Sequence, residues 1–359
     1  MTRNLDRLTY SRLATRRACP RRDYLTYELC LRRQKVDAPL RMGAAFARAK
    51  ELWRSNQGLL DEADAQGLAY GHVASVYAQV PDWVSDTYLW EIEHETLRVL
   101  LAGYFWRYGQ DNIEFLAAER TFEVPLVNPE TGASSRTFTL AGKIDGIVRL
   151  EDSRFAVYED KLTSENIDGE DYWQRLRYDG QISQYVVAAR HLGYPVSTVY
   201  YDATRKPTIK PLAVPLTDED GLKIVLDADG NRVLNKNGTP RQTGSTELGY
   251  VLQTRPETVV EWGERLLEDI TRRPEYYYHR REIPRLEQDL TEFRAEVWQQ
   301  SQLLRECRRN GWWFRNVAFH TCRNCSFKDL CLNGVAIEPG NPPAGYVIVD
   351  DPHPELASE

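Results

Sequence analysis

The chain has 359 residues, of which 42% are hydrophobic and 28% are charged, and its formal net charge is −7. These values are typical of a globular protein with a large core, and they argue against a protein that coats nucleic acid indiscriminately. No stretch approaches the roughly 18 apolar residues of a transmembrane helix, and the N-terminus lacks the apolar region of a signal peptide. We therefore expect a cytoplasmic protein that does not enter a membrane.

The N-terminal segment, residues 1–36, is strongly basic. It contains ten Arg or Lys residues and three acids, interleaved with Tyr10, Tyr24 and Tyr27. Positive charge beside aromatic rings suits a single nucleic-acid strand, whose phosphates need charge and whose bases need stacking faces. A solvated amphipathic helix would account for the charge run equally well.

Helices come first, and strands follow. Apolar residues at three- and four-residue spacing predict helices over 43–55 and 86–108. Alternating polarity then predicts three strands that form an antiparallel meander, over 115–127, 136–150 and 154–163. A helix over 172–192, ended by Gly193 and Pro195, leads to a fourth strand over 196–206, which a helical crossover could lay parallel to an earlier one.

The last third of the chain is less regular. Residues 215–250 are rich in turn-forming residues, with Asp229-Gly230 and Asn237-Gly238 pairs, and they predict a hairpin-bearing insertion. Helices resume over 256–272 and 285–310. Residues 336–359 hold five acids, five prolines and no Lys or Arg, so we expect most of this tail to be disordered.

The candidate active site lies on the second and third strands. Side chains alternate along a strand, so Val157, Glu159 and Lys161 share one face, while Asp160 points to the other. Asp145 lies fourteen residues before Glu159, across a short turn, and can reach the same divalent ion. Two carboxylates suit Mg²⁺ or Mn²⁺, and a lysine can orient or deprotonate a water that attacks a phosphate.

The helix that follows the candidate site adds two polar side chains. Gln181 and Tyr185 lie four residues apart and therefore on one face of the predicted helix. Gln181 could hydrogen-bond the attacking water or the scissile phosphate, and Tyr185 could hold the backbone or a base.

Four cysteines form a second constellation. Cys322, Cys325 and Cys331 lie within ten residues, and Cys19 can supply a fourth thiolate from the other end of the chain. Cytoplasmic cysteines serve metals more often than disulfides, and four thiolates suit either a [4Fe–4S] cluster or tetrahedral zinc. Cys30 and Cys307 are expected to be buried as small apolar residues.

Together these motifs resemble the PD-(D/E)XK nuclease superfamily, in the branch of RecB-like nuclease domains and CRISPR-associated iron–sulfur exonucleases, which phages also carry. The resemblance rests on residues 142–145, 159–161 and 181–185 with the four cysteines, and it spans about residues 8–333. It implies a restriction-endonuclease-like α/β fold, a mixed central sheet flanked by helices. It also implies that Asp145 and Glu159 bind the metal, that Lys161 is catalytic and that Gln181 and Tyr185 support it.

The resemblance also defines the expected organisation and partners. Residues 1–335 would form a single nuclease domain with its core at about 110–210, and a [4Fe–4S] cluster, with zinc as the alternative, would join the ends 1–36 and 285–333. The substrate would be DNA ends or single strands, and a helicase, an annealing protein or a CRISPR adaptation protein would be the partner. Five arginines near residue 280 would follow the DNA backbone: Arg272, Arg273, Arg280, Arg281 and Arg285.

One position departs from the branch. Its members usually have a metal-binding histidine four residues after a helical glycine, and here Ala47 follows Gly43 at that spacing. Either two carboxylates suffice, or Glu119, His72 or His94 contributes, or metal binding is weak. The alternative functions are therefore a nuclease-like DNA-binding module with little activity and a zinc-stapled scaffold for a recombination or adaptation partner.

Overall fold

The computed structural model describes residues 5–34, 38–111, 113–338 and 340–356. Its centre is a mixed six-stranded sheet flanked by helices, and this confirms the fold class predicted from the sequence. None of the helices in these residues combines the length and the apolar character needed to cross a membrane.

The strands of the described residues are β1 (Asp6–Leu8), β2 (Leu31–Arg33), β3 (Glu114–Val127), β4 (Ser134–Arg149), β5 (Phe155–Thr163), β6 (Thr198–Arg205), β7 (Ala213–Pro215), β8 (Val225–Leu226), β9 (Val251–Leu252), β10 (Thr254–Pro256), β11 (Tyr278–Pro284) and β12 (Tyr346–Ile348). The α-helices are α1 (Tyr10–Ala18), α2 (Pro20–Asp23), α3 (Ala38–Asn56), α4 (Glu62–Tyr77), α5 (Thr87–Tyr108), α6 (Glu170–Leu176), α7 (Gly180–His191), α8 (Val259–Arg272), α9 (Pro274–Tyr277), α10 (Glu287–Asn310), α11 (Phe319–Arg323) and α12 (Lys328–Leu332).

The sheet has the order β1-β4-β5-β6-β11, with β3 along the other edge of β4. The predicted meander is confirmed, since β3, β4 and β5 pair antiparallel, and β6 lies parallel to β5 as expected. β4 pairs with β3 along almost its whole length, so β1 and β5 must share its opposite edge. β1 and β11, which the sequence analysis did not identify as strands, complete the sheet.

Helices cover both faces of the sheet. One face packs Leu140, Val157 and Val199 against α7 and α10, through Val186 and Leu290. On the other side, α3, α5 and α8 form a second apolar cluster with the aromatic residues of α9 and β11. Burial of these two clusters supplies the main apolar stabilisation of the fold.

The predicted helices are confirmed, with one correction. Those predicted at 43–55, 86–108, 256–272 and 285–310 correspond to α3, α5, α8 and α10. The single helix expected over 172–192 is instead two helices, α6 and α7. The break forms because the side chain of Asp179 accepts the N–H of Gln181 and so caps the start of α7.

The insertion over 215–250 contains short hairpins, as expected. β8 pairs with β9, and β7 pairs with β10 just beyond the insertion. Gly230 and Gly238, the second members of the two predicted turn pairs, have φ angles of 84° and 81°. Only glycine adopts such angles without strain, and this explains both turns.

In its described part, residues 336–338 and 340–356, the C-terminal tail differs from the expectation of disorder, and residues 339 and 357–359 lie outside the described residues. β12 pairs antiparallel with β2, and the Tyr346 ring stacks on Phe327. A guanidinium nitrogen of Arg32 donates to the Pro352 carbonyl at 2.6 Å. Composition did not indicate this order because the partner strand lies more than 300 residues earlier in the chain.

Candidate active site

The site forms where β4 loses one partner strand and gains another. On one edge, β1 pairs with β4 only as far as Leu140, and β5 begins to pair at Gly146. Between them this edge of β4 has no strand partner in the described part of the chain, and the side-chain amide of Gln184 donates to the Ala141 carbonyl there. The gap leaves room for side chains at the end of the β4–β5 pairing.

Asp145 and Glu159 are the two carboxyl groups at this gap. Asp145 accepts the backbone N–H of Asp160 at 2.8 Å, which fixes its carboxylate against β5. Glu159 is 3% exposed, and its Oε2 is buried with no hydrogen-bond partner among the described residues. Burial raises the pKa of Asp145 to about 6, and it raises the pKa of Glu159 well above its usual value, with the Asp145 charge adding to that rise.

Lys161 lies two residues beyond Glu159 on β5. It is exposed, and its charge lowers the pKa of both Asp145 and Glu159, although burial outweighs that effect. The structure thus places a solvent-accessible ammonium group on the strand that carries the buried Glu159.

Gln181 and Tyr185 occupy the first half of α7. The Gln181 amide donates to the Tyr185 hydroxyl at 2.9 Å. Burial and then the charges of Glu159 and Asp145 raise the pKa of Tyr185 well above its usual value, so its hydroxyl is within electrostatic range of both acids. The structure therefore brings Tyr185 to the carboxyl pair, with Gln181 next to it.

Ala47 also faces this site. It lines a cavity of about 30 Å³ together with Glu51, Glu119, Asp145 and Asp160. Glu119 has a φ of 40°, a conformation that residues other than glycine rarely adopt. Burial and then a hydrogen bond to Glu119 raise the pKa of Glu51 to about 7, although a hydrogen bond from Arg48 lowers it.

The two histidines considered earlier lie on α4 and α5, and they are not among the residues that line this cavity. His94 stacks on the Tyr77 ring at 5.5 Å between centroids. Glu119 is therefore the one of the three alternatives that the structure places beside Asp145 and Ala47.

Behind the site lies a buried charge network that the sequence analysis missed. Lys50 donates to Asp160 at 2.6 Å, and Arg54 pairs with Asp202 at 3.0 Å. Burial lowers the pKa of Lys50 to about 8, despite the attraction of both acids. Lys50 and Arg54 lie four residues apart on α3, and this spacing was the only feature of the sequence that pointed to the network. Asp160 points away from Glu159, as predicted, and it joins α3 to the site strand.

A divalent metal fits the carboxyl pair. Among the described residues, no group of three or more His, Cys, Asp or Glu side chains is arranged to hold a metal ion. Mg²⁺ nevertheless needs only one or two carboxylates, because it keeps several waters and takes substrate phosphate oxygens as ligands. The buried Glu159 Oε2 without a partner is the kind of atom that a cation would satisfy.

The four cysteines lie together around a separate cavity. Cys19, Cys322, Cys325 and Cys331 line one cavity of about 210 Å³, and all four are free thiols. Burial raises the pKa of the Cys325 thiol, and the neighbouring Cys331 and Cys19 raise it further. The thiols share one cavity but do not converge into a ligand set within the part of the chain that the structure describes.

The basic N-terminal segment is partly structural. Arg12 and Arg16 are buried and pair with the fully buried Asp23, at 3.3 and 3.1 Å. Arg17 is exposed, and Arg21 and Arg22 are partly exposed. Arg3 and Lys35 lie outside the described residues.

The five arginines near residue 280 do not form the expected track. Arg280 is buried against Asp202 at 2.9 Å, and Arg285 is buried and donates to Ser183. Arg273 and Arg281 pair with Asp269 and Glu170. Arg280 and Arg285 serve the fold, because buried arginines need intramolecular partners, whereas Arg272 is exposed and Arg273 and Arg281 are partly exposed.

Sequence comparison agrees with this geometry. A sequence model of the PD-(D/E)XK nuclease superfamily matches residues 7–332, which include the site and the four cysteines. No curated protein matches the chain.

Proposed function

Because the chain belongs to the PD-(D/E)XK nuclease superfamily, we propose that it is a metal-dependent DNA exonuclease that acts on DNA ends or on single strands. The observation that supports this proposal best is the buried pair Asp145 and Glu159 at the β4–β5 gap. One oxygen of Glu159 has no partner among the described residues. Two buried acids, one of them with an unpartnered oxygen, suit a divalent cation, and the cation can in turn bind a phosphate.

We assign a role to each side chain of the site. Asp145 and Glu159 hold Mg²⁺ or Mn²⁺, which supplies positive charge for the phosphoryl group and for the attacking water. Lys161 orients that water, assists its deprotonation and offsets charge on the phosphate. Tyr185 limits the position of Glu159, and Gln181 holds the Tyr185 hydroxyl and contacts the water or the phosphate.

The alternative is a nuclease-like DNA-binding protein with little activity, which the alanine at position 47 favours. In that case the carboxyl pair would be a remnant of the superfamily site, and the chain would serve as a binding or scaffold protein.

Replacing Lys161 by Ala tests the proposal. We expect Mn²⁺-dependent degradation of end-labelled single-stranded and duplex DNA to slow by about a hundredfold, because the water loses its orienting ammonium group. Lys223→Ala, which removes an exposed lysine of the insertion, is the matched control and should leave the rate unchanged. A wild type that degrades neither DNA would support the binding protein instead.

We further propose that Cys19, Cys322, Cys325 and Cys331 close on a [4Fe–4S] cluster, with zinc as the alternative. Their shared cavity supports this, since four thiolates suit either centre. The centre would join the basic N-terminal segment to the C-terminal helices. It would also place the chain in the RecB-like or CRISPR-associated iron–sulfur branch, whose members act with helicase, annealing or adaptation proteins.

Cys325→Ser should lower both the metal content and the stability of the protein. Anaerobically purified wild type should contain about four irons per chain if the centre is a [4Fe–4S] cluster. The variant should lose the iron and unfold at a lower temperature, because the chain ends lose their link. Cys30→Ser, outside the cavity, is the control. Zinc in place of iron would select the other centre, and unchanged metal content and stability in Cys325→Ser would rule out both.

A further inference from the structure

An exposed aromatic segment follows the longest helix of the catalytic domain. Residues 312–318 form neither helix nor strand, and several large apolar side chains of the segment 311–320 face solvent. Trp312 is 75% exposed, Phe314 58%, Val317 79% and Phe319 71%. Single exposed apolar residues are common on protein surfaces, but a contiguous set of this size marks a binding surface.

Hydrogen bonds hold this segment against α1 and α2. The Arg21 N–H donates to the Phe314 carbonyl at 3.0 Å, and the Asn316 amide donates to the Ala18 carbonyl at 3.0 Å. The Trp313 ring lies on Tyr24 at 4.3 Å between centroids. Because the backbone is tied at several points, the exposed rings form a preorganised surface rather than a loose loop.

Beneath the rings lies a cavity of about 380 Å³. Trp312, Phe314 and Leu303 supply apolar walls, and Arg17 lies at its edge. This volume is within the range of small-molecule sites, which are largely apolar with a few placed polar groups. An aromatic pocket with a guanidinium at its edge suits a nucleobase and the phosphate attached to it.

Arg17 lines this cavity and also lies beside the start of α7, the helix that carries Gln181 and Tyr185. A side-chain carbon placed on Gly180 would lie 3.7 Å from the Arg17 guanidinium nitrogens, and Gly180 precedes Gln181. Tyr178, in the loop before α7, is 91% exposed. Arg17 thus links the start of α7 to the cavity lined by Trp312 and Phe314.

The charge around the segment is one-sided. Residues 305–328 include six Arg or Lys and one acid, and Arg17, Arg21 and Arg22 lie on the neighbouring helices. Arg315, between the exposed rings, is itself exposed. The whole chain is acidic, so this concentration of positive charge is local and matches a phosphate backbone.

From this placement we propose that Trp312, Phe314 and Phe319, with Arg17 and Arg315, bind unpaired bases of a DNA strand whose reacting phosphate lies at the carboxyl pair. The inference rests on the proposed function, because it takes the reacting phosphate of the bound strand to lie at Asp145 and Glu159. Bases in a duplex are already stacked on each other and cannot reach these rings, so the surface selects single strands. A protein partner would also cover the exposed rings, but it would not explain the Arg and Lys side chains around them.

Binding can be measured without cleavage. The experiment uses the full chain with Lys161→Ala, and it follows the fluorescence anisotropy of a labelled 20-nucleotide oligo-dT and of a 20-base-pair duplex. Adding Trp312→Ala and Phe314→Ala should weaken oligo-dT binding by roughly tenfold for each ring removed, while duplex binding changes less than about threefold. Trp106→Ala, which removes a 63% exposed tryptophan of α5, is the matched control and should leave oligo-dT binding unchanged. Circular dichroism confirms that each variant is folded.

The outcomes separate this inference from the nuclease proposal. Selective loss of oligo-dT binding supports the inference even if the wild type cleaves nothing. Unchanged oligo-dT affinity in the folded double variant overturns it, even if Lys161-dependent cleavage is found, and would leave the rings for a protein partner. Equal weakening of oligo-dT and duplex binding also overturns it, because the surface would then not select single strands.

Discussion

Glu159→Gln should lower metal-dependent cleavage by about a thousandfold or more and leave the fold intact, because the amide cannot hold a divalent cation as a carboxylate does. Glutamine has nearly the shape of glutamate and fills the same buried space. Direct titration with Mn²⁺ should show weaker metal binding. Glu123→Gln, at an exposed position of β3, is the matched control.

The same substitution should stabilise the metal-free protein at alkaline pH. Burial and the Asp145 charge raise the pKa of Glu159 in the folded state. For an acid with a raised folded pKa, the contribution to stability is fully present below the unfolded pKa and is lost as pH rises through the folded pKa. Glutamine carries no proton to lose, so the variant escapes that loss.

Thermal unfolding in a chelator should therefore show a higher melting temperature for Glu159→Gln than for the wild type at pH 8. The two should melt at nearly the same temperature near pH 4. Equal melting temperatures of the wild type and Glu159→Gln at both pH values would show that the charge of Glu159 does not destabilise the fold. Full cleavage activity of Glu159→Gln would show that the metal binds elsewhere.

Asp202→Asn should lower the free energy of unfolding by about 3–5 kcal/mol. Asp202 is fully buried, and its Oδ2 pairs with Arg54 and Arg280 at 3.0 and 2.9 Å and with Lys50 at 3.5 Å. The amide keeps the shape but removes the carboxylate that contacts all three cations, and leaves Asp160 and Asp111 as their acidic partners. A cation left buried without its partner costs far more than an exposed ion pair contributes.

Urea unfolding of Asp202→Asn checks this expectation. Asp152→Asn removes an exposed carboxylate that pairs with Arg154, and it should change stability by less than about 1 kcal/mol. If Asp202→Asn also changed stability by less than about 1 kcal/mol, water or local rearrangement would already balance the charges of the network. The network also positions α3 against Asp160, whose N–H holds Asp145, so reduced cleavage should accompany the loss of stability.

Local alternation predicted the centre of the fold well. The pattern over 154–163 indicated a strand with Val157 and Glu159 on one face. In the structure Val157 packs in the sheet core, while Asp160 turns to Lys50 on the other side. The antiparallel meander followed from the same period-two signal, because each strand and turn could be read from neighbouring residues alone.

The alternation of neighbouring residues could not predict pairing between strands that lie far apart in the chain. β1 and β12 are three residues long, and each is defined by a partner more than 100 residues away. β11 was read as a basic stretch because its sequence, YHRREIP, contains His279, Arg280 and Arg281. Their acidic partners lie on other elements, so the sequence could not separate buried ion-pair arginines from exposed ones. The remaining site assignments, including the metal ligands, stay predictions that the variants above test.

The pairing of β2 with β12 and the sharing of one cavity by Cys19 and Cys331 have a consequence for biosynthesis. A ribosome must add about 300 residues between these two cysteines, which takes roughly 15 to 60 seconds at ordinary elongation rates. During that interval the β3–β5 meander can form on the nascent chain and β1 can pair with β4, but β2 and Cys19 still lack β12 and Cys331. A product truncated between α10 and Cys322 would therefore keep the central sheet and leave β2 and Cys19 without these partners.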